Sequence, residues 1–141
     1  MPLLSRKTLL TIGAVIDIAV NARNQLVSAK DLAARHNLPA RHLEPMLQVL
    51  VRNGILKGVR GPRGGYELAR ERRRISVDDV VKAATSIEDE SVQPLPASRL
   101  LKQVVIPAVA QAEKAFSAAL SRITIEDLVR RTEADDSSAS T

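Results

Sequence analysis

Between Gly58 and Leu68 the chain reads GVRGPRGGYEL. Two guanidinium groups, Arg60 and Arg63, and one phenol, Tyr66, stand on a frame of four glycines and one proline. Three chemistries fit such a loop. It could cradle the phosphates of a nucleotide, grip a polynucleotide, or close a hairpin with a merely basic tip. A P-loop requires its glycine frame to end in Gly-Lys-Ser/Thr at a helix start, and a dinucleotide fold requires G-x-G-x-x-G there. Neither pattern occurs, and Gly64-Gly65 leads into the strand-like Tyr66-Glu67-Leu68. A bare hairpin accounts for the glycines but not for the charge around them. Residues 1–76 carry 14 Lys and Arg against 5 Asp and Glu, a charge of +9, whereas residues 77–141 carry 7 against 11, a charge of −4. A basic front half and an acidic back half point to a polyanion that meets the front alone.

Other side chains in the front half suit the same partner. Arg41, His42, Glu44, Gln48 and Arg52 fall on the polar face of an amphipathic segment. Arg41 suits a guanine edge, since bidentate arginine–guanine is the commonest specific base contact. His42 fits a phosphate or plain surface. Glu44 fits a cytosine amino group, or exclusion of wrong bases by repulsion. Ser28 and Lys30 stand at a helix start, where backbone amides favour a phosphate; Ser28 alone reads equally as a cap. Tyr66 reads as a packing residue. Arg72, Arg73 and Arg74 read as a solvated charge run.

Several chemistries are excluded or poorly supported. The chain has no cysteine, so disulfides, thiolate zinc sites and cysteine-ligated iron–sulfur clusters are ruled out. His36 and His42 are the only histidines and stand on different elements, a poor metal site. No Ser-His-Asp set or carboxylate pair stands out as an acid–base constellation. Tyr66 and Phe116 are the only aromatics, which argues against stacking platforms for single-stranded nucleic acid. The expectation is therefore no enzyme, no cofactor and no metal. Arg6-Lys7 followed by the apolar run Leu9–Val20 mimics a signal peptide. Asp17 interrupts that run and it is too short to span a bilayer, so an amphipathic helix is expected, with no membrane partner and a cytoplasmic location.

Length, 141 residues, fits one domain or one small domain plus a dimerisation element. Ile12, Val15, Ile16 and Ala19 repeat at helical spacing and predict a helix over about Ser5–Ala22. A turn over Asn21–Leu26 follows. Ser28, with Asp31 three residues on, predicts a capped short helix to about His36. Asn37-Leu38-Pro39 ends it, and Pro39 suits the first turn of the next helix. That helix carries Leu43, Met46, Leu47, Leu50 and Val51 on one face and stops at Gly54. Pro45 deletes a donor within it, which leaves a kink or a delayed start open. Ile55–Val59 and Tyr66–Leu68 read as strands of a hairpin. Arg70–Arg74 reads as a connector, and Ser76-x-x-Asp79 as a capping box for a helix through about Ala84. Asp78-Asp79 and Glu126-Asp127 each read as helix-start acids. Leu101, Val105, Val109, Ala112, Phe116, Ala119 and Ile123 form one long apolar stripe, with Pro107 at the true start of a helix or at a kink. Thr124 caps a last short helix to about Arg131.

Three short helices followed by a two-stranded hairpin is the winged helix-turn-helix order, in which the third helix enters the major groove and the hairpin loop reaches backbone or minor groove. The stretches LAARHNLPARHLEPMLQVLVRNG, NGILKGVRGPRGGYELA and ISVDDVVKAA, with the closing SRITIEDLV, resemble the Rrf2 family of bacterial transcription regulators, the IscR-, NsrR- and CymR-type proteins. The likeness covers about residues 3–131. Val59-Arg60-Gly61-Pro62 with Gly64-Gly65-Tyr66 is its most characteristic motif.

The resemblance implies a mostly α fold with a small two-stranded β wing and a long dimerisation helix. It implies residues 1–84 as the DNA-binding domain, 85–97 as a loop, 98–132 as the dimerisation helix plus a short C-terminal helix, and 133–141 as a disordered tail. It implies a homodimer on double-stranded DNA, most simply a repressor, paired through Val105, Val109, Ala112, Phe116, Ala119 and Ile123. Lys7 matches a family basic position that contacts the DNA backbone. Many members hold an iron–sulfur cluster through three cysteines before the dimerisation helix. Residues 88–106 contain neither cysteine nor histidine, so cluster sensing is not expected, and the chain fits a cysteine-free branch answering to a small ligand, a partner protein or no effector. Two rival classes are a protein-interaction module docking through the acidic back half and a small-molecule receptor with a pocket beside the dimerisation helix.

Overall fold

A computed structural model describes residues 3–21, 26–88 and 96–139. Among these residues the chain forms six α-helices and one antiparallel hairpin. The helices are α1 (Arg6–Asn21), α2 (Ala29–His36), α3 (Ala40–Arg52), α4 (Val77–Glu88), α5 (Ile106–Ser121) and α6 (Ile125–Ala139). Strands β1 (Leu56–Val59) and β2 (Gly65–Leu68) pair Leu56 with Leu68 and Val59 with Gly65. Most of the expected turn before α2 lies outside the described residues.

The core is aliphatic, as two aromatics dictate. Val15 and Ile18 of α1 meet Leu32 of α2, Leu43, Leu47 and Leu50 of α3, and Ile55 and Leu56 at the start of the hairpin. Ile75, Val80, Ile125 and Val129 bring α4 and α6 into the same cluster. The α3 stripe differs from the expectation in one register position. Val49 is buried, while Val51 is only half-buried and faces the wing.

The caps explain the boundaries. Ser28 Oγ accepts the Asp31 amide at 3.0 Å and Asp31 Oδ2 accepts the Ser28 amide at 3.3 Å, a reciprocal box. Asn37 closes α2 at φ 54, a left-handed conformation that asparagine tolerates better than most residues. Pro39 stands at the N-cap of α3 rather than inside its first turn, with extended ψ 136. Pro45 does not delay α3: helix begins at Ala40, and the ring sits inside it. An interior proline costs roughly 3 kcal/mol relative to alanine, so packing of the opposite face must carry this helix.

The paired acids at two helix starts divide their work. Asp79 caps α4 through Ser76, each amide donating to the other's side chain at 3.0 Å. Asp78 does not cap: it is buried, accepts the Ser117 hydroxyl of α5 at 2.7 Å, and pairs with Lys82 at 3.0 Å. Asp127 caps α6 through Thr124, and the amide and hydroxyl of Thr124 hold its carboxyl below the usual range. Glu126 instead pairs with Arg72 and Arg130.

Four expectations need correction. α4 runs on to Glu88, so residues 85–88 are helical rather than loop. α6 runs to Ala139, through residues 133–139 that were expected as a disordered tail. Arg72 departs from the expected solvated run, whereas Arg73 and Arg74 remain largely exposed. Arg72 is tied to Glu126, and Arg73 and Arg74 approach Glu71 at 2.7 and 3.9 Å. Lastly, the long stripe is not uniformly α-helical. A π-turn over Leu101–Val105 precedes α5, and the Ile106 amide reaches back to the Leu101 carbonyl. Pro107 follows in the first turn of α5, where its missing donor and its ring are accommodated by the widened turn.

Candidate nucleic-acid interface

α2, the turn 37–39 and α3 form the helix-turn-helix, and the hairpin stands beside α3. A backbone bridge holds it there. Val27 and Tyr66 exchange hydrogen bonds of 3.1 and 2.7 Å, which adds the approach to α2 as a third edge beside β2. A weak link joins wing to reader: the Gln48 amide donates to the Tyr66 hydroxyl at 3.4 Å. Tyr66 also packs against the core and across from Gly58, so it is a packing residue with one polar handle on the surface. The wing tip is a tight turn over Gly61–Gly64, with the Gly64 amide donating to the Gly61 carbonyl at 2.9 Å. Pro62 and Arg63 occupy its centre, and proline is favoured at the first of these positions.

Three hollows trace the surface that results. A cleft of about 500 Å³ lies between the N-terminus of α2, the wing and α3, and includes Ser28, Gln48 and Arg60. A second, of about 280 Å³, runs past Lys7, Pro45, Gln48 and Arg52. A third, of about 700 Å³, has Arg6, Lys7, Arg41 and His42 around an apolar floor that includes Leu10, Leu38 and Met46. Gln48 lines the first two and Lys7 the last two, so the three are neighbours. Of the expected contacts, Lys7, Ser28, Arg41, His42, Gln48 and Arg60 line these neighbouring hollows. Lys30, Glu44 and Arg63 are exposed but line none of these hollows. Ser28 is a cap whose hydroxyl still has a proton to donate.

Charge pairing separates two sets of cations in the front half. Arg35, Arg70, Arg72, Arg73 and Arg74 are paired with acids. Among the described residues, Arg6, Lys7, Lys30, Arg41, Arg52, Lys57, Arg60 and Arg63 make no ion pair. The unpaired set includes every lysine and arginine that lines the three hollows, so that face keeps its positive potential for an external anion. Arg6 and Arg52 belong to it and were not among the expected contacts. The Arg6-Lys7 dipeptide was the available signal for the first, and the exposed register of α3 for the second.

One buried pairing holds the helix-turn-helix to α1. The Asp17 side chain is 8% exposed and receives the Arg35 guanidinium in two hydrogen bonds, at 2.6 and 2.9 Å. His36 Nε2 stands 2.9 Å from the same carboxylate and the Asn21 amide donates to it at 3.1 Å. Burial alone would raise the pKa of Asp17, but the hydrogen bonds and charges of Arg35 and His36 outweigh it and hold the carboxyl below its usual value. His36 thus has a structural partner, and sequence spacing gave no sign of it.

The apolar stripe before and within α5 faces outward. Leu100 is 64% exposed, Val104 58% and Val109 50%, while Val105 and Ile106 are also exposed. Ala112 and Ala119 are exposed and Phe116 and Ile123 half-buried. The stripe is therefore broader at its start than the spacing of fours and threes suggested. Among the described residues, no helix is long and apolar enough to cross a membrane.

The helix-turn-helix, the hairpin beside its second helix and the unpaired cations on their common face define a winged helix-turn-helix transcription regulator. Residues 4–131 match the model of the Rrf2 family, described as an iron-dependent transcriptional regulator. The chain belongs to that family. It is 33% identical to a Synechocystis sp. protein named as an HTH-type transcriptional regulator, over 89% of this chain and 86% of that one. It is also 33% identical to Protein rrf2 of Nitratidesulfovibrio vulgaris, over 82% and 79% respectively. Among solved structures, T. potens IscR superposes with a TM-score of 0.73 at 30% identity, covering 94% of this chain and 89% of that one. CymR, the global cysteine regulator of B. subtilis, gives 0.69 at 26%, covering 93% and 98%. The family and these relatives are transcription regulators, not enzymes. The cysteines through which cluster-holding members of the family bind iron have no counterpart here, because the chain has no cysteine.

Proposed function

We propose that this protein is a homodimeric, sequence-specific repressor that binds double-stranded DNA in the cytoplasm without an iron–sulfur cluster. The observation that carries the reading is the set of unpaired cations on α3, the wing and the start of α1 that lines three neighbouring hollows. α3 enters the major groove with Arg41, His42, Glu44 and Gln48 toward base edges. Arg60 and Arg63 of the wing, Lys7 of α1, and Ser28 and Lys30 of α2 take phosphates. Residues 1–84 act as the DNA-binding part and the helix from about residue 98 as the dimerisation part. The exposed Leu100, Val104, Val105, Ile106 and Val109 support a second copy as the cover for that helix, since a contiguous apolar face is costly in water. A two-fold pair would set its reading heads one DNA turn apart, roughly 34–36 Å.

Two measurements test the interface. Arg60→Ala with Arg63→Ala lowers affinity across sequences and flattens the dependence of log affinity on log salt by about 2, one unit per lost phosphate contact. Fluorescence anisotropy across a salt series reads this, and an unchanged slope removes the wing from the mechanism. Arg41→Ala relaxes base preference at one position per half-site, where a bidentate contact discriminates by about 1–3 kcal/mol. Selection from random DNA reads it, and an unchanged profile rejects Arg41 as a reader.

Control by a small ligand or a partner protein is the second reading. Asp78 supports it: this buried carboxylate joins α4, which packs on α3, to Ser117 of α5. A change at the α5 face thus has a packed route to the reader. Binding of a ligand or a protein that shifts DNA affinity in the gel-shift assay supports it; a chain with no selected DNA site would be a docking module alone.

A further inference from the structure

Pro45 stands inside α3 on its exposed face. The residues that α3 buries are Leu43, Met46, Leu47, Val49 and Leu50, so the ring fills no core. Proline also removes the amide that would donate to the Arg41 carbonyl one turn earlier. Neither packing nor helix propensity accounts for it at this position. Its surroundings give another reason. Pro45 lines the groove with Lys7, Arg41 and His42 on one side and the hollow with Gln48 and Arg52 on the other. It is an exposed apolar ring at the rim, where the apolar floor of the groove meets the hydrogen-bonding side chains Arg41, His42 and Gln48.

We infer that Pro45 reads the C5-methyl group of a pyrimidine, normally thymine; this rests on the DNA-binding reading above. In the major groove guanine offers two acceptors, cytosine an amino group, and adenine an acceptor and an amino group, while thymine carries a methyl beside its carbonyl. A pyrrolidine ring has no donor or acceptor to give. Against guanine, adenine or cytosine it strips water from polar atoms and replaces no hydrogen bond. Against a methyl it joins two apolar surfaces. The ring therefore selects by what it buries and by what it leaves unpaired. 5-Methylcytosine carries the same methyl at the same place, so the same contact makes binding responsive to cytosine methylation at that position.

The experiment uses the full chain and a preferred duplex selected from random DNA. Each thymine is replaced singly by deoxyuridine, which removes the methyl and nothing else. One thymine per half-site is expected to lose roughly three- to fivefold in affinity, the equivalent of one buried methyl group. At that position a 5-methylcytosine–guanine pair is expected to bind more tightly than a cytosine–guanine pair. In Pro45→Gln the uridine replacement becomes silent there, and selection moves toward adenine, the partner of a bidentate glutamine. Pro45→Gln restores the backbone donor and should melt no lower than the parent, which a circular dichroism melt verifies. A selected duplex with no sensitive thymine overturns the inference and leaves the DNA-binding reading standing. So does a Pro45→Gln variant that keeps the full uridine penalty. Failure to select any duplex would instead reject the DNA-binding reading itself.

Discussion

Gly64→Ala is expected to abolish the wing's contribution to DNA binding, with a loss of roughly tenfold or more in affinity, about 1.4 kcal/mol. A Cβ on Gly64 would lie 2.2 Å from the Val59 carbonyl oxygen, 2.9 Å from the Gly61 oxygen and 3.0 Å from the Arg60 carbonyl carbon. All three are backbone atoms, so no side-chain rotation relieves the clash. The turn must open, and its 2.9 Å hydrogen bond from Gly64 to Gly61 breaks with it. Arg60 then leaves the cleft it lines with Gln48 and Ser28, and Arg63, at the centre of the turn, moves with it. The core lies on the other side of β1, so the stability loss stays at about 1–3 kcal/mol. Melting and DNA affinity, measured on the same preparation, separate the two effects. Affinity equal to the parent's would mean that the turn is not what positions the arginines. Gly65→Ala makes a sharper structural comparison, since its Cβ would stand 2.7 Å from the Val27 oxygen, inside the bridge that fixes the hairpin to α2.

Asp17→Ala is the second large effect, this time on stability. Removing the carboxylate leaves the Arg35 guanidinium without its two short hydrogen bonds and the His36 ring without its acceptor. Arg35 is partly exposed and can turn to water, so the cost is expected near 2–3 kcal/mol rather than the larger value for a fully buried pair. The pH dependence gives the sign. The folded pKa of Asp17 is depressed, so its contribution is present above its unfolded value, near 4, and is lost as pH falls through the lower folded value. Urea unfolding at pH 7 should therefore show the full gap between parent and variant. The gap should close progressively below about pH 4 as the parent's carboxylate is protonated. A gap that persists undiminished in acid would mean that side-chain packing, not the ion pair, joins α1 to α2. The same variant should weaken DNA binding only in proportion to the unfolded fraction, since Asp17 lines none of the three hollows.

The element order was readable in the sequence because each element announces itself locally. Apolar residues at i, i+3, i+4 and i+7 define the face of α3 whatever surrounds it. Ser28 and Asp31, Ser76 and Asp79, and Thr124 and Asp127 are three residues apart, a spacing set by helix geometry alone. The glycines of the wing mark a turn for the same reason. The ends of α4 and α6 were less legible. Both run past the expected ends near Ala84 and Arg131, where the next residue is threonine in each case, which neither stops nor strongly favours a helix.

What the sequence by itself determined is thus the set of helices, the hairpin, the basic front half and the absence of thiol ligands. All of these follow from residue type, spacing and count. Only the tertiary structure decided which cations are available. Arg72 and Arg60 look alike in a list of basic residues, yet one is held by Glu126, 54 positions further along, and the other faces an open cleft. Asp17 and Asp78 look like surface acids until α2 and α5 close over them. Long-range pairing depends on which surfaces the packed helices bring together, and no local pattern of residues encodes that.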